Sequence, residues 1–144
     1  MCDHYTQKFK ECDHAVDLWD SFAPGHGMNG TYGDYMYVGR AVETINSHDV
    51  STPLFYYLAL QVAHDPVESP ARFQAEYDPS TCPDVGQYAM NSVIDEAVKN
   101  VTEALKAKGM WENTLLVSQN RNAAYRPSTV LATHPPTYDS CAQP

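Results

Sequence analysis

Four things are scarce in this 144-residue chain. Positive charge is the first: 9 Lys and Arg stand against 18 Asp and Glu, a formal net charge of −9, and no basic cluster occurs. Phosphate backbones are gripped by grouped Lys and Arg, so nucleic acid is excluded as a partner. Long apolar runs are the second. No stretch reaches the roughly 18 apolar residues that cross a bilayer, and the opening MCDHYTQKFKEC is polar throughout, so no membrane partner and no signal peptide are expected in this chain. Closely spaced cysteines are the third: Cys2, Cys12, Cys82 and Cys141 are scattered without a CxxC pair, which argues against a zinc site or a thioredoxin-like motif. The even cysteine count leaves disulfides open without giving a pairing. Catalytic signatures are the fourth. GxSxG, the P-loop and GxGxxG are absent, and Gly25-His26-Gly27 lacks the flanking strand and helix that would give it meaning.

What is present is enough to fold. The length is that of one ordinary domain, and 43% hydrophobic residues can supply a core. Phe22 to Gly30 reads as a loop, with three glycines and a proline. The spacing of Tyr35, Val38, Val42 and Ile45 predicts a helix from Tyr32 to about Ser47, with Thr31 and Asp34 placed as a capping box. Ser69-Pro70 marks the start of a short helical turn. Met90, Ile94, Ala97, Val101 and Leu105 form a stripe at intervals of three and four, predicting a long helix over Val85–Lys108. Asp84 and Gln87 are placed to cap it, Asp95 precedes Lys99 by a helical turn, and Gly109 stops it.

Between these helices lies PLFYYLALQVAHDPVESP, residues 53–70. Leu54 to Leu60 are apolar without alternation, the pattern of a strand buried on both faces. Thr114 to Val117 reads as a second such strand. Helix, strand, helix, strand is the alternation of an α/β fold with crossover helices. Open parallel sheets build their sites in loops after the strand ends, and His64 stands four residues past Leu60 with Asp65 and Pro66 beside it. An imidazole there can give or take a proton at neutral pH. A histidine after a strand is also an ordinary surface or hydrogen-bonded residue. His4, His14, His26, His48 and His134 show no ligand spacing. Asp17, Asp20 and Asp34 are hard-cation donors whose geometry nothing in the sequence fixes. Two N-x-T sequons, at Asn29 and Asn100, hint at a secretory route.

PLFYYLALQVAHDPVESPARFQAEY, followed by DEAVKNVTEALKAKGMWENTLLV, resembles the middle of the sulfatase family, arylsulfatase B-like members in particular. NGTYGDYMYVGRAVETI matches that family's helix before the strand, and DHYTQKF fits more loosely. The likeness covers about residues 3–117. It implies an α/β fold, here a partial α/β/α sandwich of the alkaline phosphatase/sulfatase type with a mostly parallel sheet. It also implies hydrolysis of sulfate esters with calcium and a formylglycine made from cysteine. The histidine of Q-x-x-H-D/E-P enters the sulfate site in that family, so the match makes His64 the catalytic candidate, protonating the leaving alcohol.

The chain departs from the family pattern at three places, one being that the family's early Asp-Asp metal ligands have no counterpart here. The nucleophile motif C-x-P-S-R is missing, and Cys82 is followed by Pro83-Asp84-Val85. Where the family has S-x-D-N-G-G, this chain reads Ser118-Gln119-Asn120-Arg121-Asn122-Ala123-Ala124, and an arginine cannot hold calcium. Neither cofactor site is complete, so metal ligands are expected to be none. Residues 1–117 are read as the central part of a sulfatase-like catalytic domain, and 118–144 as an unrelated, disordered tail rich in proline. The chain alone is expected to be inactive, with a sulfate ester of a small molecule or glycan as substrate if the site were completed. The alternative is a non-catalytic module that associates with itself or a partner through open sheet edges. Family habit gives a secreted or lysosomal location and a glycoprotein.

Overall fold

The computed structural model describes residues 18–28, 30–64 and 66–119. They fall in two units, one ending at Thr31 and one beginning at Tyr32. In the first, β1 (Trp19–Asp20) and β2 (Ala23–Pro24) pair antiparallel around a tight turn. Ser21 takes a left-handed φ of 59° there, and Gly25 N–H closes the hairpin on the Leu18 carbonyl at 2.8 Å. The remaining described residues to Gly30 are irregular, as the glycines predict.

The second unit is built on two packed helices. α1 (Gly33–Ser47) buries Val38, Ala41 and Ile45, and α3 (Val85–Ala107) buries Ala89, Met90, Val93, Ala97, Ala104 and Leu105. The short α2 (Ala71–Gln74) inserts Phe73 against Ala89 and Val93. Ile45, Ala104 and Leu105 form a second apolar cluster, joined by Val42, Val101, Met110 and Trp111. Both helices lie close to their predicted spans because each carries an apolar face at helical spacing that the other covers. Lys108 adds a tie, donating from Nζ to the Asn46 carbonyl at 2.6 Å in the last turn of α1.

The predicted stop at Gly109 is real. Its φ is +74°, Gly109 N–H bonds to the Lys106 carbonyl at 3.0 Å, and Met110 N–H bonds to the Leu105 carbonyl at 2.9 Å. These two bonds make a Schellman motif, and Met110 packs on the same cluster as Leu105, as such caps do. The predicted side-chain caps differ. Neither α1 nor α3 has a side-chain cap hydrogen bond. A capping box needs the reach of Glu or Gln at its third position; Asp34 is a methylene shorter and points elsewhere. Lys99 pairs with Glu103 at 4.0 Å rather than with Asp95.

The parallel sheet is the main correction. Among the described residues the only ladder is β1–β2, and residues 54–62 and 114–117 are extended without a partner strand. Along the first run burial alternates. Leu54, Leu58, Leu60 and Val62 are half-buried, whereas Phe55 is 91% and Tyr57 82% exposed, with Tyr56 between them at 40%. A period of two is strand geometry. One face lies on the helices, Leu54 on the Ile45 cluster and Val62 on the Phe73 cluster. The other face, which the sequence predicts to be buried as well, is open. Residues 115–117 are likewise exposed, Leu115 at 88%. Burial on both faces requires flanking strands and a second helix layer, and the described residues contain neither. The tail from residue 120, the cysteines other than Cys82, and Asn29, Asp65, Arg121 and Asn122 lie outside the described residues.

Candidate functional site

The sequence places its one catalytic candidate, His64, in the loop after the extended run, and the structure shows how that loop is held. Asp34, in the first turn of α1, is 2% exposed and accepts the backbone N–H of Gln61 through Oδ1 at 2.8 Å. Tyr32, the residue before the helix, donates its hydroxyl to the Glu68 carbonyl at 2.9 Å. Two side chains separated by one residue therefore grip the loop on both sides of His64. Close approach at two glycines adds to this. A Cβ on Gly33 would stand 2.7 Å from the Gln61 side-chain oxygen, and a Cβ on Gly86, at the start of α3, would stand 2.7 Å from Val67 Cγ1. Val62 sits in the apolar cluster between these points.

His64 itself is exposed. It does not line the open groove of about 650 Å³ between α1 and α3, which is bounded by Asp34, Val42, Arg72, Glu96, Asn100 and Glu103 among others. The expected anion pocket around the imidazole is therefore not formed by these residues. Burial pushes the Tyr32 hydroxyl up to about 12, helped by the negative charges of Asp34 and Glu68. It remains a hydrogen-bond donor at any physiological pH.

Arg72 of α2 joins the elements behind the loop. It forks onto both Glu96 carboxylate oxygens of α3, at 2.9 and 2.5 Å, and reaches the Tyr35 hydroxyl of α1 at 2.6 and 3.1 Å. Its guanidinium also lies 4.2 Å from the centre of the Phe73 ring. Planar two-point pairing of this kind fixes direction as well as charge. Tyr77 and Ser92 share a hydrogen bond at 2.7 Å, fastening the next loop to α3.

The donor set for the implied calcium does not fit. Among the described residues no three His, Cys, Asp or Glu side chains converge, and calcium takes six or more oxygens. Asp34 is committed to Gln61, and Asp17 lies outside the described residues. Formylglycine cannot come from Cys82 either, since that residue is 1% exposed and disulfide-bonded. No step is therefore derived through either group.

Sequence reasoning singles out His64 and gives Asp34 and Tyr32 no part in holding its loop. It took Asp34 for a cap, although a carboxylate too short for the capping box, at the buried start of a helix, was a signal that it serves something outside the helix.

Comparison with known proteins places the chain. The family model described as Sulfatase matches residues 3–119. Arylsulfatase J of Mus musculus is 37% identical over 126 residues, which are 83% of this chain and 21% of that protein. The uncharacterized sulfatase YdeN of Escherichia coli (strain K12) is 30% identical over 74 residues, 50% of this chain and 13% of that protein. The chain thus spans about a fifth or less of the length of these curated relatives, and over the matched residues it belongs to the sulfatase family.

Proposed function

We propose that this chain carries the general-acid segment of a sulfate ester hydrolase, with His64 as the proton donor, and that the chain alone is inactive. The observation that carries this reading is the loop 61–68, gripped at Gln61 and Glu68 with His64 between the grips. In sulfate ester hydrolysis the bond from sulfur to the ester oxygen breaks, and that oxygen leaves as an alkoxide or phenoxide unless it is protonated. An imidazolium at His64 would supply the proton as the bond lengthens, an effect typically worth ~10²–10⁴-fold in rate. The substrate class is a sulfate ester of an alcohol or phenol on a small molecule or glycan.

The rest of the site belongs to the segments that complete an alkaline phosphatase-like α/β/α sandwich in full-length relatives. The open face of residues 54–62 is the place for such a layer. Residues 1–117 form the central section on this reading, and 118–144 stand apart from it. A secreted or lysosomal location agrees with the disulfide at Cys82, since disulfides persist in oxidising compartments. Asn100 of the Asn100-Val101-Thr102 sequon is half-buried on α3, at the rim of the groove, and is the proposed glycan acceptor.

The test uses a full-length sulfatase in which residues 32–117 of this chain replace their counterpart. His64→Ala should lower kcat by ~10²-fold or more on an alkyl sulfate and much less on nitrophenyl sulfate, whose leaving group needs little protonation. Equal losses on both substrates would refute the assignment. The purified chain should show no turnover of an aryl sulfate with calcium present.

A second reading is favoured by the exposed side chains Phe55, Tyr57, Leu115 and Val117. They would suit a non-catalytic module that associates through its open strands. Size-exclusion chromatography separates the two, because the second reading needs a defined oligomer at micromolar concentration.

A further inference from the structure

We propose that Asp34 and Tyr32 are positioning residues for His64, together holding its loop in register with the start of α1. The proposal rests on the general-acid reading of His64. Asp34 is the only charged side chain among the described residues to be buried. A buried carboxylate is costly unless it is paired or hydrogen-bonded, and its hydrogen bond goes to a single N–H, that of Gln61, three residues before His64. Packing alone would be served by an apolar residue. A capping role is excluded by the lack of a side-chain cap bond on α1. The position at the start of α1 sets its acceptor oxygen directly against the Gln61 N–H.

Tyr32 completes the hold from the other side. Its hydroxyl donates to the Glu68 carbonyl, four residues beyond His64, and its ring is fixed edge-on against Tyr35 at 5.3 Å between centres. The two anchors share one rigid support. α1 is tied into the core by Val38, Ala41 and Ile45, so Gln61 and Glu68 are referenced to the same helical turn. Proton transfer demands such control, since an error near 1 Å can cost ~10²-fold in rate. A loop free at either end would let the imidazole wander by more than that.

The experiment has two arms. Hydrogen exchange on the full 144-residue chain is read by mass spectrometry for Asp34→Ala, Asp34→Asn and Tyr32→Phe. Peptides covering 61–68 should exchange at least about tenfold faster in Asp34→Ala, one decade being the change expected when a roughly 1.4 kcal/mol bond is lost. Peptides of α3 should stay unchanged. Asp34→Asn keeps an acceptor oxygen and should restore most of the protection. Should α3 also open in Asp34→Ala, the variant has lost its fold, and Tyr32→Phe, which removes only a hydroxyl, decides through the same peptides. Unchanged exchange over 61–68 in both variants overturns the proposal.

The second arm uses the full-length sulfatase carrying residues 32–117. Asp34→Ala should lower kcat on an alkyl sulfate ~10²-fold and leave nitrophenyl sulfate far less affected, with KM unchanged, and Asp34→Asn should recover activity. A purely structural defect scales both substrates alike, and that result overturns the positioning role. If His64→Ala is selective for the alkyl sulfate while Asp34→Ala is not, the general acid stands and the positioning role falls. If His64→Ala itself is unselective, the general-acid reading fails and the positioning role falls with it.

Discussion

Residues 85–107 and residues 54–62 are both rich in apolar side chains, yet Met90 is 1% exposed and Phe55 91%. The difference lies in where the covering surface comes from. α3 finds its cover in α1 and α2, within this chain, and its backbone hydrogen bonds are made inside the helix itself. An extended run makes no hydrogen bonds of its own and presents side chains to two sides. The helices cover one side of residues 54–62, and the other side and both edges require strands that the described residues do not provide. Helical periodicity can therefore be satisfied locally, whereas a central strand is only as complete as its neighbours.

That contrast can be tested by substitution, beginning with the largest effect. Met90→Ala should cost ~2–5 kcal/mol by leaving a cavity between helices, whereas Phe55→Ala should stay within ~0.5 kcal/mol because its ring already faces water. Denaturant unfolding followed by helical circular dichroism measures both, and equal costs would break the distinction. Asp34→Ala comes next, at ~1–3 kcal/mol, because the Gln61 N–H loses its acceptor. Gly109→Ala should cost ~1 kcal/mol, since a side chain strains the left-handed φ of the Schellman motif.

Alkaline pH gives a further prediction, with its sign set by Tyr32. The hydroxyl is raised from an ordinary 10.0 to about 12 by burial and by Asp34. The unfolded chain therefore releases this proton first as pH rises. The contribution of Tyr32 is complete below pH 10.0 and is lost as pH rises through about 12. Tyr32→Phe should lack this part of the alkaline slope in unfolding measured from pH 9 to 12. The smallest effect on stability belongs to Tyr57→Asp. It should leave the unfolding midpoint nearly unchanged while reducing concentration-dependent association in sedimentation velocity, because Tyr57 lies on the open face.

Much of this was legible in the sequence, though unevenly. The helices α1 and α3 and the stop at Gly109 depend on residues within a few positions of one another and are found as read, although Tyr35, Val42, Ile94 and Val101 of the predicted stripes are only half-buried and Ala41, Ala89, Val93 and Ala104 join the core. The side-chain helix caps were not. Thr31, Asp34, Asp84 and Gln87 have capping chemistry, but a side chain also bonds to whatever tertiary partner comes within reach, and for Asp34 that partner is Gln61, 27 residues along the chain. The apolar run 54–60 was identified as a strand by composition, and its alternating burial supports that geometry. Its predicted two-sided burial depends on surfaces that no local pattern encodes. His64 is singled out by its motif alone. The residues holding its loop were invisible because their role exists only once α1 and the loop meet.

The most direct test of this account is amide hydrogen exchange on the full chain, comparing residues 54–60 with residues 89–105. Slow exchange in α3, fast exchange over 54–60 and renewed protection at Gln61 are the predicted result, since no backbone hydrogen bond holds 54–60 among the described residues. Equal, strong protection of both segments in a monomer would show that residues 54–60 already have their neighbours, and would contradict it.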